Sequence, residues 1–370
     1  MQRGCARMID PVPMKPLPCH RRALSLSFLL VLLCLVLTGP ASAEYEDLFD
    51  QPYIDDTPRE RNVQHPDWFK LSFLDLGEDL REAVAADKFG IAVYFGQKHC
   101  AYCEALMRVN FGQDDIVRYT QQHFDVIPTD IWGSREVTDL EGQTWSERAF
   151  AVHKGTNFTP SIIFYDREGK EAFRMRGYYP PYKFRAVLEY VVEGYYQHES
   201  FRDYLARADP PPKFDIGDLN SEPFFEKPPY ALDRSRFRAD RPLVVFFEQR
   251  DCHACDILHT EPLSDDKTRE MLSEFQVVQL DMWSDTPVLT PAGKRMTAED
   301  WANELGIFYA PTLVFFDEKG REIIRVDAVV RLYRLQGVVE YVLSKGYLET
   351  PNYQRWREMQ RGPVILPPDI

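Results

Sequence analysis

The sequence predicts an α/β protein of two tandem folds, each a central mixed sheet flanked by helices. Three observations carry this: the chain repeats itself at an offset near 151 residues, each copy alternates strand-like with helix-like segments, and a proline-rich stretch separates the copies. Cys100 and Cys252 lie 152 residues apart. Asp130 and Trp132 match Asp281 and Trp283 at 151, as do Pro160 with Pro311, Gly169 with Gly320 and Tyr190 with Tyr341.

Each copy reads in the same order. Ile91 to Phe95 and Leu243 to Phe247 are unbroken β-branched and aromatic runs, the pattern of a strand buried on both faces. A Cys-x-x-Cys pair follows at the start of a helix expected to run through Leu106 or Ile257. A second strand is expected at Phe124 to Ile127 and Phe275 to Leu280, and a third at Ser161 to Tyr165 and Thr312 to Phe316, each led by a proline. Turn sequences at Asp166 to Gly169 and Asp317 to Gly320 fold the third strand onto a fourth, Ala172 to Arg176 and Ile323 to Val326. A helix then closes each unit, Lys183 to Tyr196 and Arg331 to Leu343. Short helices beyond it, Phe201 to Leu205 and Tyr353 to Met359, carry cap-like starts at Ser200 and at Thr350-Pro351. Six prolines between Ala208 and Tyr230 mark a semi-extended spacer, in which Phe224 and Phe225 hint at an anchor.

The N-terminus reads as an export signal. His20, Arg21 and Arg22 precede an apolar run from Ala23 to Leu37, and Ala41-Ser42-Ala43 forms a small-residue cleavage site. The run is shorter than the roughly 20 residues a membrane span needs. The expected organisation is a signal peptide at 1–43, an extension at 44–66, a first domain at 67–207, a linker at 208–230, a second domain at 231–360 and a tail at 361–370. Residues 44–370 carry a net charge of −18, against −14 for the whole chain, which argues against nucleic acid or an anionic membrane surface as a partner. A periplasmic location and no membrane span after cleavage are expected.

Of seven cysteines, Cys5, Cys19 and Cys34 would leave with the signal, and the other four form the pairs Cys100–Cys103 and Cys252–Cys255. Nothing is left over to staple loops, so the thiols are chemical rather than architectural. A c-type haem site needs His after the second cysteine, where Glu104 and Asp256 stand. Zinc would need the two pairs to converge from separate domains. The rival reading is a module without turnover that binds a metal such as copper, through Cys252, His253, Cys255 and His259, or that binds a substrate. The sequon Asn157-Phe158-Thr159 reads as chance.

Strand, Cys-x-x-Cys at a helix start, strand, proline-led strand, hairpin and closing helix, twice over residues 68 to 359, resembles the thioredoxin fold. More narrowly the chain is similar to the exported thioredoxin-like group that includes SoxW and relatives of DsbC, through the charge-rich inserts Gly133 to His153 and Ser284 to Leu305 and the Tyr-rich ends. The resemblance implies cis prolines packed beside the redox pairs, at Thr159-Pro160 and Ala310-Pro311. Thr159 in that place resembles the DsbC side of the family, which implies a reductase or isomerase. Two features depart from thioredoxin: His99 and Asp251 replace the tryptophan before the first cysteine, and Tyr94 and Phe246 replace the buried acid six residues earlier. Glu248 is close by but is expected on the other strand face.

At a helix N-terminus a thiolate is stabilised, so Cys100 and Cys252 are the expected nucleophiles and Cys103 and Cys255 resolve the mixed disulfide. His99 and His253 are candidates for tuning those thiols, against Glu104, Asp251 and Asp256. The expected function is an exported thiol–disulfide oxidoreductase without cofactor, acting on protein or small-molecule disulfides and fed by a membrane thiol reductant. The first pair is the more conventional catalytic candidate.

Overall fold

The computed structural model describes residues 54–57, 62–208 and 218–361. The expected signal peptide, part of the extension, residues 209–217 of the linker and residues 362–370 of the tail lie outside the described residues.

The first domain begins with helix α1, Leu76–Ala85, whose N-terminus is capped by Asp75. Strand β1, Gly90–Gly96, follows and is buried along its whole length. Helix α2, Ala101–Ala105, runs on as a π-helical turn through Asn110. Then come α3, Asp114–His123, and β2, Phe124–Asp130. The charge-rich insert folds as a hairpin of β3, Glu136–Thr138, and β4, Thr144–Ser146, leading into α4, Glu147–His153. Strands β5, Ser161–Tyr165, and β6, Glu171–Arg176, precede the closing helix α5, Pro181–Val192. Gly194 at φ +78 then stops the helix, so Tyr195–Gln197 is a separate 3-10 turn and not the helix end expected at Tyr196. Helix α6, Phe201–Ala208, is capped by Ser200, which accepts the Asp203 N–H at 3.1 Å.

The second domain repeats this. Strand β7, Tyr230–Ala231, straddles the expected end of the linker and pairs in parallel with the insert. After it come β8, Leu243–Glu248; α7, His253–Thr260; α8, Asp266–Leu272; and β9, Gln276–Asp281. The insert is β10, Pro287–Leu289, β11, Arg295–Thr297, and α9, Ala298–Glu304. Strands β12, Thr312–Phe316, and β13, Glu322–Val326, lead to α10, Leu332–Leu343, and then to α11, Gly346–Glu349, and α12, Tyr353–Arg361. Asn352, rather than Thr350-Pro351, caps α12 by accepting the Arg355 N–H at 3.1 Å.

The sheets are ordered β2-β1-β5-β6 and β9-β8-β12-β13, with the first pair parallel and the others antiparallel. Strand periodicity splits each central strand between two cores. Ala92 and Tyr94 face one layer while Ile91, Val93 and Phe95 face the other. Val244 and Phe246 are divided in the same way from Leu243, Val245 and Phe247. Full burial of such side chains contributes roughly 1.5–3 kcal/mol each, which is why both strands read as unbroken apolar runs. Phe224 and Phe225 pack on the second core, where Phe225 meets Phe246 edge-on at 5.3 Å, and so tie the end of the linker to that domain.

The domains meet about a local two-fold axis. Equivalent residues touch: Arg176 lies 3.7 Å from Asp327, and Val329 N–H donates to the Tyr178 carbonyl at 3.2 Å. Gly177 stands opposite Ala328, and a Cβ there would sit 2.7 Å from the alanine's; its φ of +95 also requires glycine. The terminal helices cross over reciprocally. Arg202 of α6 donates to the carbonyls of Ile307 (2.6 Å) and Met282 (2.9 Å) and lies 3.9 Å over Trp283. Arg355 of α12 donates to Ile131 (2.6 Å) and Arg148 (2.9 Å) and lies 4.1 Å over Trp132. Burial holds the Arg355 guanidinium down to about 10, with Arg148 adding to the effect.

Candidate redox sites

Both cysteine pairs sit where a fully buried strand ends and a helix begins. Cys100 and Cys103 are disulfide-bonded with Cα atoms 5.1 Å apart, and Cys252 and Cys255 share the same Cα separation. The first sulfur of each pair caps its own helix: Cys100 Sγ accepts the Cys103 N–H at 3.0 Å, and Cys252 Sγ accepts the Cys255 N–H at 3.1 Å. These N–H groups are among the donors a helix leaves unpaired at its start, so charge arriving on the first sulfur on reduction meets the positive end of the backbone dipoles. The second cysteine of each pair is buried, Cys103 at 0% and Cys255 at 1% exposure.

The proline loops complete the sites. Thr159-Pro160 and Ala310-Pro311 are both cis. Thr159 Oγ1 lies 3.4 Å from Cys100 Sγ, and the Ala310 carbonyl lies 3.7 Å from Cys252 Sγ.

At the first site a chain of hydrogen bonds fixes the direction of the threonine hydroxyl. The Trp132 indole can only donate, and it donates to Gln97 Oε1 at 2.8 Å. The Gln97 amide therefore turns its nitrogen to Thr159 Oγ1, at 2.8 Å. With that oxygen already accepting, its own proton is free to point at the Cys100 sulfur. At the second site Trp283 donates to Gln249 Oε1 at 3.1 Å in the same way, but Ala310 has no hydroxyl to pass the bond on.

The two candidate tuning histidines are exposed. His99 lines the same cleft as Cys100, and His253 opens the first turn of α7. Tyr94, six residues before Cys100, is buried and its hydroxyl finds no hydrogen-bond partner; burial pushes the phenol far above its ordinary value.

Glu248 corrects the sequence expectation. It stands two residues beyond Phe246, and strand alternation by two puts both on the same face. There Glu248, at 0% exposure, reaches His259 Nε2 at 3.2 Å and accepts from Gln279 Nε2 at 3.1 Å. Glu222 from the end of the linker reaches His259 Nδ1 at 2.9 Å. Burial pushes the imidazole down, but the hydrogen bond and charge of Glu248, followed by those of Glu222, outweigh it and leave His259 raised. Both ring nitrogens of this member of the copper alternative are thus held by carboxylates. No cluster of three or more His, Cys, Asp or Glu side chains placed for a metal occurs among the described residues. Among the same residues no helix is long and apolar enough to cross a membrane.

The sequence reading missed Tyr102, the residue between the first two cysteines. It is 5% exposed, its hydroxyl donates to Asp56 Oδ2 at 3.0 Å, and it accepts the Arg331 N–H at 3.1 Å from the second domain. The one available signal was the mismatch between Tyr102 and Ala254 in otherwise parallel motifs.

Two copies of the thioredoxin-like domain family model match the chain, at residues 76–192 and 232–343. Among solved structures, a thioredoxin-fold protein from Helicobacter pylori is 25% identical, covering 38% of this chain and 87% of its own, with a TM-score of 0.32. A thioredoxin from Thermus thermophilus is 23% identical over 29% of this chain and 76% of its own, with a TM-score of 0.24. The DsbH oxidoreductase is 15% identical over 39% and 95%, with a TM-score of 0.26. No curated protein sequence matches the chain. Two disulfide-forming Cys-x-x-Cys pairs on two matched domains give the protein a redox role, and the chain belongs to the thioredoxin-like domain family, which it carries twice in tandem.

Proposed function

We propose that the protein is an exported thiol–disulfide oxidoreductase that reduces or isomerises disulfides in the periplasm. The observation that carries this reading is the paired geometry. In each domain the first cysteine caps a helix, beside a cis-proline loop and over a buried second cysteine. In the dithiol form, the thiolate of Cys100 or Cys252 attacks one sulfur of a substrate disulfide and expels the other as a thiolate, leaving a mixed disulfide. Cys103 or Cys255 then loses its proton and attacks the enzyme sulfur of that mixed disulfide. The second substrate sulfur is released as a thiolate; two electrons have passed to the substrate, whose two thiolates take up the proton lost by Cys103 or Cys255 and one from solvent.

Thr159 before its proline supports a reductase or isomerase. Isomerisation uses the same first step, with a second substrate thiol closing the cycle. The apolar run Ala23 to Leu37 and Ala41-Ser42-Ala43 support export, and a membrane thiol reductant is the donor we propose.

The test is insulin reduction with a thiol donor, together with thiol trapping after incubation with a disulfide. Turnover that is lost in the Cys100→Ser, Cys252→Ser double variant supports the reading. Inert cysteines together with stoichiometric copper binding overturn it.

A further inference from the structure

The duplication makes the two redox sites comparable residue by residue, and they differ in what covers them. Lys183 of α5 and Arg334 of α10 are equivalent at the offset of 151, and each reaches into the other domain's proline loop. Lys183 Nζ donates to the Phe308 carbonyl at 3.2 Å and lies 4.9 Å over the Tyr309 ring. It stops short of Ala310, the residue before the proline. Arg334 goes further: its guanidinium donates to the Thr159 carbonyl at 3.0 Å, the carbonyl directly before Pro160, and lies 3.6 Å over the ring of Tyr102.

Asp56 locks this arrangement. Its carboxylate accepts the Tyr102 hydroxyl and the Arg334 N–H at 2.8 Å. Tyr353 and Gln354 from α12 wall the same cleft. Cys100 is consequently 7% exposed and Thr159 2%, and the space beside them is about 50 Å³. In the second site Ala254 replaces Tyr102, and Cys252 is half-buried against residues of its own domain.

A disulfide in a polypeptide brings flanking backbone with it, which needs room and hydrogen-bond partners beside the sulfur. At the first site the Thr159 carbonyl, one residue before the proline, is already bonded to the Arg334 guanidinium.

We propose, on the basis of the thiol–disulfide reading above, that the sites divide their substrates. Cys252–Cys255 exchanges with polypeptide disulfides. Cys100–Cys103 exchanges with small-molecule thiols and disulfides, because Arg334 and Tyr102 close it to anything larger. In the refilling direction a small thiolate attacks Cys100 Sγ, the Cys100–Cys103 bond breaks, and Cys103 leaves as a thiolate that takes up a proton. A second small thiol releases the small disulfide, and two electrons and two protons remain on the pair.

The experiment uses the full chain in two forms, Cys252→Ser/Cys255→Ser and Cys100→Ser/Cys103→Ser. Each is reduced and assayed against insulin and against 2-hydroxyethyl disulfide. The ratio of insulin rate to small-disulfide rate is expected to be at least about tenfold higher for the form that keeps Cys252. Adding Tyr102→Ala or Arg334→Lys to the form that keeps Cys100 should raise its ratio toward the other. A ratio less than about tenfold apart overturns the division of substrates while leaving the oxidoreductase reading intact. Failure of both forms with both disulfides overturns both. The comparison of the two parent forms decides the matter even where the added substitutions unfold the chain.

Discussion

Replacing Glu248 by alanine tests whether the buried glutamate–histidine pair beneath the second redox helix behaves as an ion pair. His259 is held above its ordinary 6.5 because the charge and hydrogen bond of Glu248 and then Glu222 outweigh the effect of burial. The folded state therefore holds the proton more tightly than the unfolded chain. The stabilisation is complete below the unfolded value near 6.5 and is lost as pH rises through the folded value.

Removing one partner of a buried pair costs about 3–5 kcal/mol. Glu222 stays at 2.9 Å, which places Glu248→Ala near the lower end, about 3 kcal/mol at pH 6. Above the folded value the imidazole is neutral, and the lost contact falls to an ordinary hydrogen bond of about 1 kcal/mol. Urea denaturation of the oxidised chain from pH 6 to pH 9 should therefore show the gap between wild type and variant narrowing by about 2 kcal/mol. The corresponding loss in Tm at pH 6 is about 6–12 °C. Glu248→Gln keeps the hydrogen bonds without the charge and should fall between the two. A gap that is the same at both ends of the range, or one under about 1 kcal/mol at pH 6, would refute the argument.

Thr159→Val removes the hydroxyl aimed at Cys100, so the thiolate should lose a hydrogen bond of about 1 kcal/mol and its pKa rise by nearly one unit; thiolate absorbance against pH reads this directly. Ala310→Thr should lower the Cys252 value by a similar amount. Arg202→Ala and Arg355→Ala each strip a charged donor from two carbonyls and from an indole face, and each should lower stability by about 2–4 kcal/mol in urea denaturation, adding nearly independently. Losses under about 1 kcal/mol would show that the crossed helices are not what holds the domains together. Gly177→Ala places a Cβ 2.7 Å from that of Ala328 at a φ of +95, and should cost at least about 1–2 kcal/mol. An unchanged Tm would count against the two-fold contact.

Much of the redox architecture was legible before any coordinates, because it depends on local pattern. Continuous burial of β1 and β8 follows from apolar runs that no half-exposed strand would need. The proline loops and cysteine pairs repeat at a nearly constant offset, so duplication alone located both sites. Glu248 shares the face of Phe246, not the opposite one, because residues two apart on a strand point the same way. The closing helix stops short of Tyr196 because Gly194, in the left-handed region at φ +78, ends it.

Chemistry was therefore largely a property of the sequence: two helix-capping thiols, two buried partners and two prolines, each fixed by contacts within a single repeat. What covers that chemistry was decided only by tertiary structure. Arg334 is 175 residues from Thr159, and Asp56 is 278 from Arg334. The lock on Cys100 forms because two similar domains face each other about a local two-fold and exchange their last helices. Pairing at such separations is set by how surfaces fit once the cores exist, and no periodicity within one repeat encodes it. The duplicated motif promised two equivalent sites, and the packing of one domain against the other made them unequal.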